Sequence, residues 1–431
     1  MAANGGTDTA LTERIDRWIV AHGDALVGRV RDLVAFPTLS PPGRNTALAQ
    51  GYVADWLRGI GCAVEAFDVY PGDPDVVGHL RGAGGAGRSL LFNGHIDVAE
   101  VAADGWQGDP FVATERDGRL YGRGVGDMKG GLAAAIFALE ATLACGVRLR
   151  GDVLIESVIG EESGEWGTVA CVERGYRADL AIVPEPTGLI PCGQGGVITG
   201  WITIQSTQTL HDGVRARTIH AGGGLLGANA IEKMMRLLAA LNDLERHWAV
   251  TKSYPGFAPG ATTINPAVIE GGRHPAFMAD RCALWITVHF YPDETWEGVV
   301  AEIEDHLRRA AAADLWLRDH PPTFRWGGRS MIAERGEIFP AVPLVADTPG
   351  LAALEAAHAA VYGSMPTHAM WPSVSDAGWL SRAGIPTIIY GPGELEEAHT
   401  TNESIAVADL VVAARVYARL IGAWCGLEDG R

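Results

Sequence analysis

No apolar run in this chain approaches the roughly 20 residues that a membrane span needs, and Met1–Ala10 has no basic stretch leading into an apolar one, so it does not read as a signal peptide. Positive charge is scarce: 34 Lys and Arg stand against 52 Asp and Glu, a formal net charge of −18. Nucleic acid and anionic membranes both require a basic face, so neither is expected as a partner. The six cysteines, at 62, 145, 171, 192, 282 and 425, include no Cys-x-x-Cys pair, which argues against a cysteine-bound structural zinc and a thioredoxin-like motif. Several lie in apolar runs, where a free cysteine packs as a small hydrophobe. The phosphate-binding pattern Gly-x-x-x-x-Gly-Lys-Ser/Thr is missing, as are internal repeats and low-complexity linkers. These absences together describe a cytoplasmic protein in a reducing compartment.

What remains is an ordinary globular composition, 47% hydrophobic and 20% charged, in 431 residues. That length implies two domains. Apolar positions at helical spacing predict one or two helices over residues 11–35 and another over 47–57. Short strands are expected at 63–69, 76–80, 89–93, 153–158 and 180–183, with a small-residue helix over 133–144. Strands alternating with helices predict an α/β domain built on a mostly parallel mixed sheet flanked by helices. From Val197 the residues alternate apolar and polar, as in an antiparallel strand with one wet face. Strand, helix, strand, strand, helix then follow, which predicts an inserted α+β sandwich over 197–324. Residues 1–196 and 325–431 would form the main domain.

The chemistry-bearing residues cluster at predicted strand ends. Gly94-His95-Ile96-Asp97 closes an apolar run and presents an imidazole with a carboxylate two residues on. Glycines flank Asp127 in Gly124-Val-Gly-Asp-Met-Lys-Gly-Gly131, where a tight turn capping a helix is the plainer reading and a metal-approaching carboxylate the sharper one. Glu161-Glu162 follows the strand at 153–158, Glu185 follows the strand at 180–183, and His399 lies shortly after Gly391-Pro-Gly393. Each alone reads as a loop residue. Jointly they occupy the carboxyl edge of an open α/β sheet, where such folds place their sites.

On these motifs the chain resembles the dinuclear zinc amidohydrolases that include acetylornithine deacetylase, succinyl-diaminopimelate desuccinylase, aminoacylase and glutamate carboxypeptidase. The likeness runs through Asn93-Gly-His-Ile-Asp97, Asp109-Pro-Phe111, Gly126-Asp-Met-Lys-Gly-Gly131, Gly160-Glu-Glu-Ser-Gly164, Pro184-Glu-Pro-Thr187 and Ala398-His-Thr400. It implies two divalent metals, Zn²⁺ foremost, with Co²⁺ or Mn²⁺ also accepted. His95 and Glu185 would hold one, Glu162 and His399 the other, and Asp127 both. Asp97 would orient His95, and Glu161 would act as general base on a metal-activated water. A cis peptide is implied at Asp127-Met128. The insertion would be a lid and homodimerisation domain, with His220 reaching a neighbouring subunit's site.

Substrate contacts implied by the same resemblance are Asn265, Gly391 and Gly393. Where the family carries a carboxylate-binding arginine, this chain has His289, unless Arg273 substitutes. The leading expectation is an acetylornithine-type deacetylase acting on a small N-acylated substrate. Glu245-Arg-His-Trp248 and Ser253-Tyr-Pro-Gly-Phe257 also resemble the formylaminopyrimidine deformylases of thiamine salvage, whose substrate needs no carboxylate clamp. A carboxypeptidase or dipeptidase is a third reading. A non-catalytic binding protein is a fourth, opposed by the complete set of ligand-type residues.

Overall fold

Four apolar runs, Leu90–His95, Val153–Val158, Leu180–Val183 and Thr387–Ile389, are buried along their whole length. A strand with no wet face has to sit in the middle of a sheet covered on both sides. In the computed structural model, which describes residues 4–84, 87–218, 223, 225 and 227–429, these four form the parallel centre of an eight-stranded sheet. Ala63–Tyr70 and Asp73–Leu80 extend one edge in antiparallel fashion. Cys192–Gln194 and Ala369–Trp371 extend the other. Because the central strands run the same way, the segments after His95, Val158, Val183 and Ile389 all emerge at one edge.

Helices cover this sheet. Lys129–Ala144 is buried on nearly every side and is rich in Ala and Gly. It begins four residues before the span read from the sequence, and Gly131 in its first turn lies against the backbone of Pro184, where a Cβ would come within 2.1 Å. Asn4–Ala21 and Gly23–Val34 meet at His22, and Val407–Cys425 closes the domain. All six cysteines are buried and unpaired. No helix among the described residues is long and apolar enough to cross a membrane.

The chain divides into two compact units, residues 1–194 with 342–431, and residues 195–341. The second unit holds an antiparallel sheet in the order Ile264–Gly271, Arg281–Phe290, Gly196–Gln205, Thr323–Trp326, with helices Ala230–Thr251 and Trp296–Ala312. Its core is Ile198, Ile202, Leu237, Leu241, Ile286, Ile303 and their neighbours. It runs past residue 324, where the sequence texture changes, because Thr323–Trp326 and Ile338–Phe339 both pair with Gly196–Gln205.

A polar seam runs through the main sheet. Asn93 donates to Glu156 at 2.8 Å and to the Thr168 hydroxyl at 3.0 Å, and that hydroxyl donates to Asp376 at 2.7 Å. Burial pushes Glu156 up to about 7, from 4.5. Between those two values the folded chain keeps a proton that the unfolded chain has released, so the fold loses stability as pH rises across the interval. Glu156→Gln removes that titration. Its melting temperature relative to the parent should therefore be several degrees more favourable at about pH 8 than at about pH 5. A pH-independent difference would show that Glu156 ionises in the core as readily as in water.

Candidate metal centre

The shared edge of the sheet brings six of the sequence-selected side chains together. His95, at the end of its strand, turns Nε2 to within 3.1 Å of Asp127 Oδ1. The other oxygen, Asp127 Oδ2, lies 3.1 Å from His399 Nε2, which is also 2.9 Å from Glu162 Oε2. Glu161 and Glu185 each approach His95 Nε2 to 3.9 Å. One carboxylate thus directs each of its oxygens at a different imidazole. Ligand atoms of His95, Asp127 and Glu162 fall within 4.8 Å of one another. The Asp127–Met128 peptide is cis.

Each of these residues is held by its surroundings. The His95 Nδ1–H donates to the backbone carbonyl of Asp97 at 3.0 Å, which leaves Nε2 as the outward-facing nitrogen. Asp97 thus holds His95 through its carbonyl, while its carboxylate, 3.8 Å from His95, accepts the N–H groups of Gly160, at 2.8 Å, and Glu162, at 3.1 Å. Those N–H groups begin a turn that has left the sheet ladder, and the carboxylate supplies the acceptor they need. Glu162 accepts the Ala99 N–H through Oε1.

Two residues that sequence reasoning passed over complete the support. Glu403, fully buried, accepts the N–H groups of Gly124, Gly126 and Asp127 at 3.1, 2.9 and 3.2 Å. Arg123 pairs with it at 2.7 Å and also donates to the carbonyls of Glu100 and His399. The pair therefore ties the Asp127 loop to the His399 loop. Its sequence signal is a glycine-rich segment whose N–H groups require an acceptor, with an acid four residues after His399.

The electrostatics describe a site short of positive charge. Burial works against protonating His95, yet Asp127, Glu185 and Glu161 outweigh it and hold the imidazole well above its ordinary value. Asp127 and Glu162 raise His399 to about 10, although its side chain is 57% exposed. Burial pushes Glu161 and Glu185 well above the carboxylate range, against the pull of His95. Burial would raise Asp127 too, but its two imidazole partners prevail and lower it. Four carboxylates meet two imidazoles here. Oxygen and nitrogen donors around such a charge deficit fit divalent metal ions.

The remaining candidates lie elsewhere or do other work. The Gly391 N–H donates to Thr187 Oγ1 at 3.1 Å, and the Gly393 carbonyl accepts from Gly188 at 2.7 Å, so both glycines brace the loop that follows Glu185. Arg273, expected as a substitute carboxylate clamp, is committed within the second unit to Asp280 and Thr209, each at 3.1 Å. Asn265 is exposed on the strand Ile264–Gly271, opposite Thr287. His289 is half-buried on the neighbouring strand, and burial pushes its imidazole below the ordinary value. His220 lies outside the described residues.

Comparison with known proteins follows the same lines. Residues 91–423 match the model of peptidase family M20/M25/M40. The N-formyl-4-amino-5-aminomethyl-2-methylpyrimidine deformylase of Halalkalibacterium halodurans is 52% identical, across 95% of this chain and 97% of its own length. The succinyl-diaminopimelate desuccinylase of Methylobacterium radiotolerans is 31% identical, across 93% of this chain and 97% of its own. An M20 family metallo-carboxypeptidase from Sulfolobus solfataricus shares the fold, with a TM-score of 0.69 at 18% identity over 93% of this chain and 99% of that one.

Metal should displace protons from this site. His399 keeps a proton up to about pH 10 when carboxylates are its only partners. Calorimetric titration of metal-free protein with Zn²⁺ at about pH 8, in two buffers of different ionisation enthalpy, should show net proton release. Equal heats in both buffers would mean that metal does not compete with the imidazole protons.

Proposed function

The chain belongs to peptidase family M20/M25/M40, a family of metal-dependent hydrolases acting on amide bonds, and from that membership we propose that it is a deformylase of an N-formyl aminomethylpyrimidine. The observation that carries this reading is the 52% identity to a deformylase of that substrate over nearly the whole chain. The expectation of an acetylornithine-type deacetylase gives way to it, since the acetylornithine deacetylase of Vibrio atlanticus is only 26% identical. His289 supports the same choice. A substrate of this kind has no carboxylate to clamp, and a half-buried imidazole held towards its neutral form is poorly suited to clamping one.

His95 and Glu185, with one oxygen of Asp127, would hold one divalent ion, and Glu162 and His399, with the other oxygen, a second. Zn²⁺ suits this set, and Co²⁺ or Mn²⁺ would also be accepted. Such ions supply Lewis-acid polarisation of the formyl carbonyl and acidify water. Glu161 keeps 11% of its side chain exposed, so water can reach it. Its carboxylate takes a proton from the water as oxygen bonds to the formyl carbon. The same proton passes to the departing nitrogen as the C–N bond breaks, giving formate and the free aminomethylpyrimidine. A homodimer through the inserted unit is part of the proposal. The edge strand Ile264–Gly271 leaves Val268 and Ile269 exposed, an apolar margin that a second copy would cover.

Metal-loaded protein should hydrolyse N-formyl-4-amino-5-aminomethyl-2-methylpyrimidine with kcat/KM at least about 10-fold above its N-acetyl analogue, and well above N-acetylornithine. Glu161→Gln should lower kcat by roughly 10²- to 10⁴-fold while metal stays bound. Faster turnover of acetylornithine would refute the substrate, and an active Glu161→Gln protein would refute the base.

A further inference from the structure

The turn that carries Glu161 has little rigidity of its own. It is a three-residue helical piece, Glu161–Ser163, between Gly160 and Gly164, whose φ angles of 79° and 58° are both left-handed. Glycine hinges on each side leave the direction of Glu161 to be set from outside. Asp97 grips the turn from one side. On the other lies a strap of chain from Thr38 to Arg44. The strap follows the end of the His95 strand: Ser40 N–H donates to the Val98 carbonyl, Val98 N–H to Thr38, and the Thr38 hydroxyl to Ile96 at 2.6 Å. From there the hydroxyl of Ser40 meets that of Ser163 at 2.7 Å, both buried.

Arg44 ends the strap at φ 62°, a left-handed conformation uncommon for a non-glycine residue. Its guanidinium forms a two-pronged bond to Glu165, at 2.5 and 2.7 Å. It also lies 3.6 Å over the Tyr70 ring and 3.7 Å from Asp73. Glu165 is 1% exposed, and its N–H closes the turn onto the Gly160 carbonyl at 2.7 Å. Its Cβ fills the space beside Gly160, where any side chain would meet it at 2.5 Å. Arg44 therefore grips the residue that is packed inside the turn.

We propose that Arg44 is a positioning residue for hydrolysis: its fork on Glu165, with Ser40 on Ser163, fixes the turn and so aims the Glu161 carboxylate. This rests on Glu161 being the general base. In metal-loaded protein acting on the formyl substrate, Arg44→Ala should lower kcat by roughly 10- to 100-fold, with KM changed less than about twofold and metal per chain unchanged. Arg44→Lys keeps the charge without the fork and should fall between. Because Arg44 is 32% exposed, added methylguanidinium should restore part of the kcat of Arg44→Ala, and methylammonium less. Added to Glu161→Gln, Arg44→Ala should cause no further loss, since its effect passes through the missing base. An unchanged kcat, a KM that rises in step with the loss, or an equal further loss in the Glu161→Gln background would overturn the proposal. Should Arg44→Ala fail to fold, Arg44→Lys and Ser40→Ala carry the same comparison. If Glu161→Gln alone stays active, the base assignment fails first, whatever Arg44 does.

Discussion

Asp127, Glu161, Glu162 and Glu185 have to share one small, largely buried space with two imidazoles. Burying one carboxylate is costly, and burying four around a point is affordable only with opposing charge. Most of the catalytic unit can be understood as a response to that demand. The parallel strands deliver the acids to one edge, and the loops beyond supply N–H donors and guanidinium groups. His95 faces the acids with the nitrogen left free by the Asp97 carbonyl, and His399 turns Nε2 to Asp127 and Glu162. The same demand makes a pair of divalent cations the natural occupant.

Support reaches the acids in layers. Glu403 and Arg123 are themselves a buried pair, 0% and 2% exposed, and breaking such a pair leaves an uncompensated charge at a cost of about 3–5 kcal/mol. They hold the Asp127 loop through its backbone and leave its carboxylate free to face both imidazoles. Asp97 acts likewise on the Gly160–Glu162 backbone. Arg44 reaches the same turn through Glu165. In each case a charged side chain fixes main-chain geometry or a packed neighbour, and the group presented to the site stays unencumbered. Such an arrangement suits a site whose occupants must bind and exchange.

His95, Glu161, Glu162 and Glu185 are legible because each closes or follows a run whose burial the sequence announces, whereas Asp127 and His399 stand out only through their glycine-rich surroundings. Val153–Val158 and Leu180–Val183 have no polar face, so the acids after them stand out, and the order of the motifs ties them to a family. The helix Ala47–Gly59 begins where its spacing places it. What escaped the sequence depends on contacts between distant segments. Glu403 and Arg123 are 280 positions apart, and Arg44 and Glu165 are 121 apart. No local pattern pairs them. Spacing alone cannot tell whether the carbonyl or the carboxylate of Asp97 meets His95; the carbonyl does, at 3.0 Å. Arg119–Tyr121 and Ser404–Ala406, which link the Asp127 and His399 loops, are three-residue strands too short for any periodicity. The second unit outran its sequence boundary because its last pairings involve a two-residue strand.

The central claim is that one carboxylate, Asp127, joins two cation sites, each with its own imidazole. Anomalous diffraction from crystals of metal-loaded protein, measured on both sides of the zinc absorption edge, tests this directly. Two peaks are predicted, roughly 3.5–4 Å apart, one beside His95 and Glu185 and the other beside His399 and Glu162, with Asp127 between them. A single peak, or peaks away from Asp127, would contradict it.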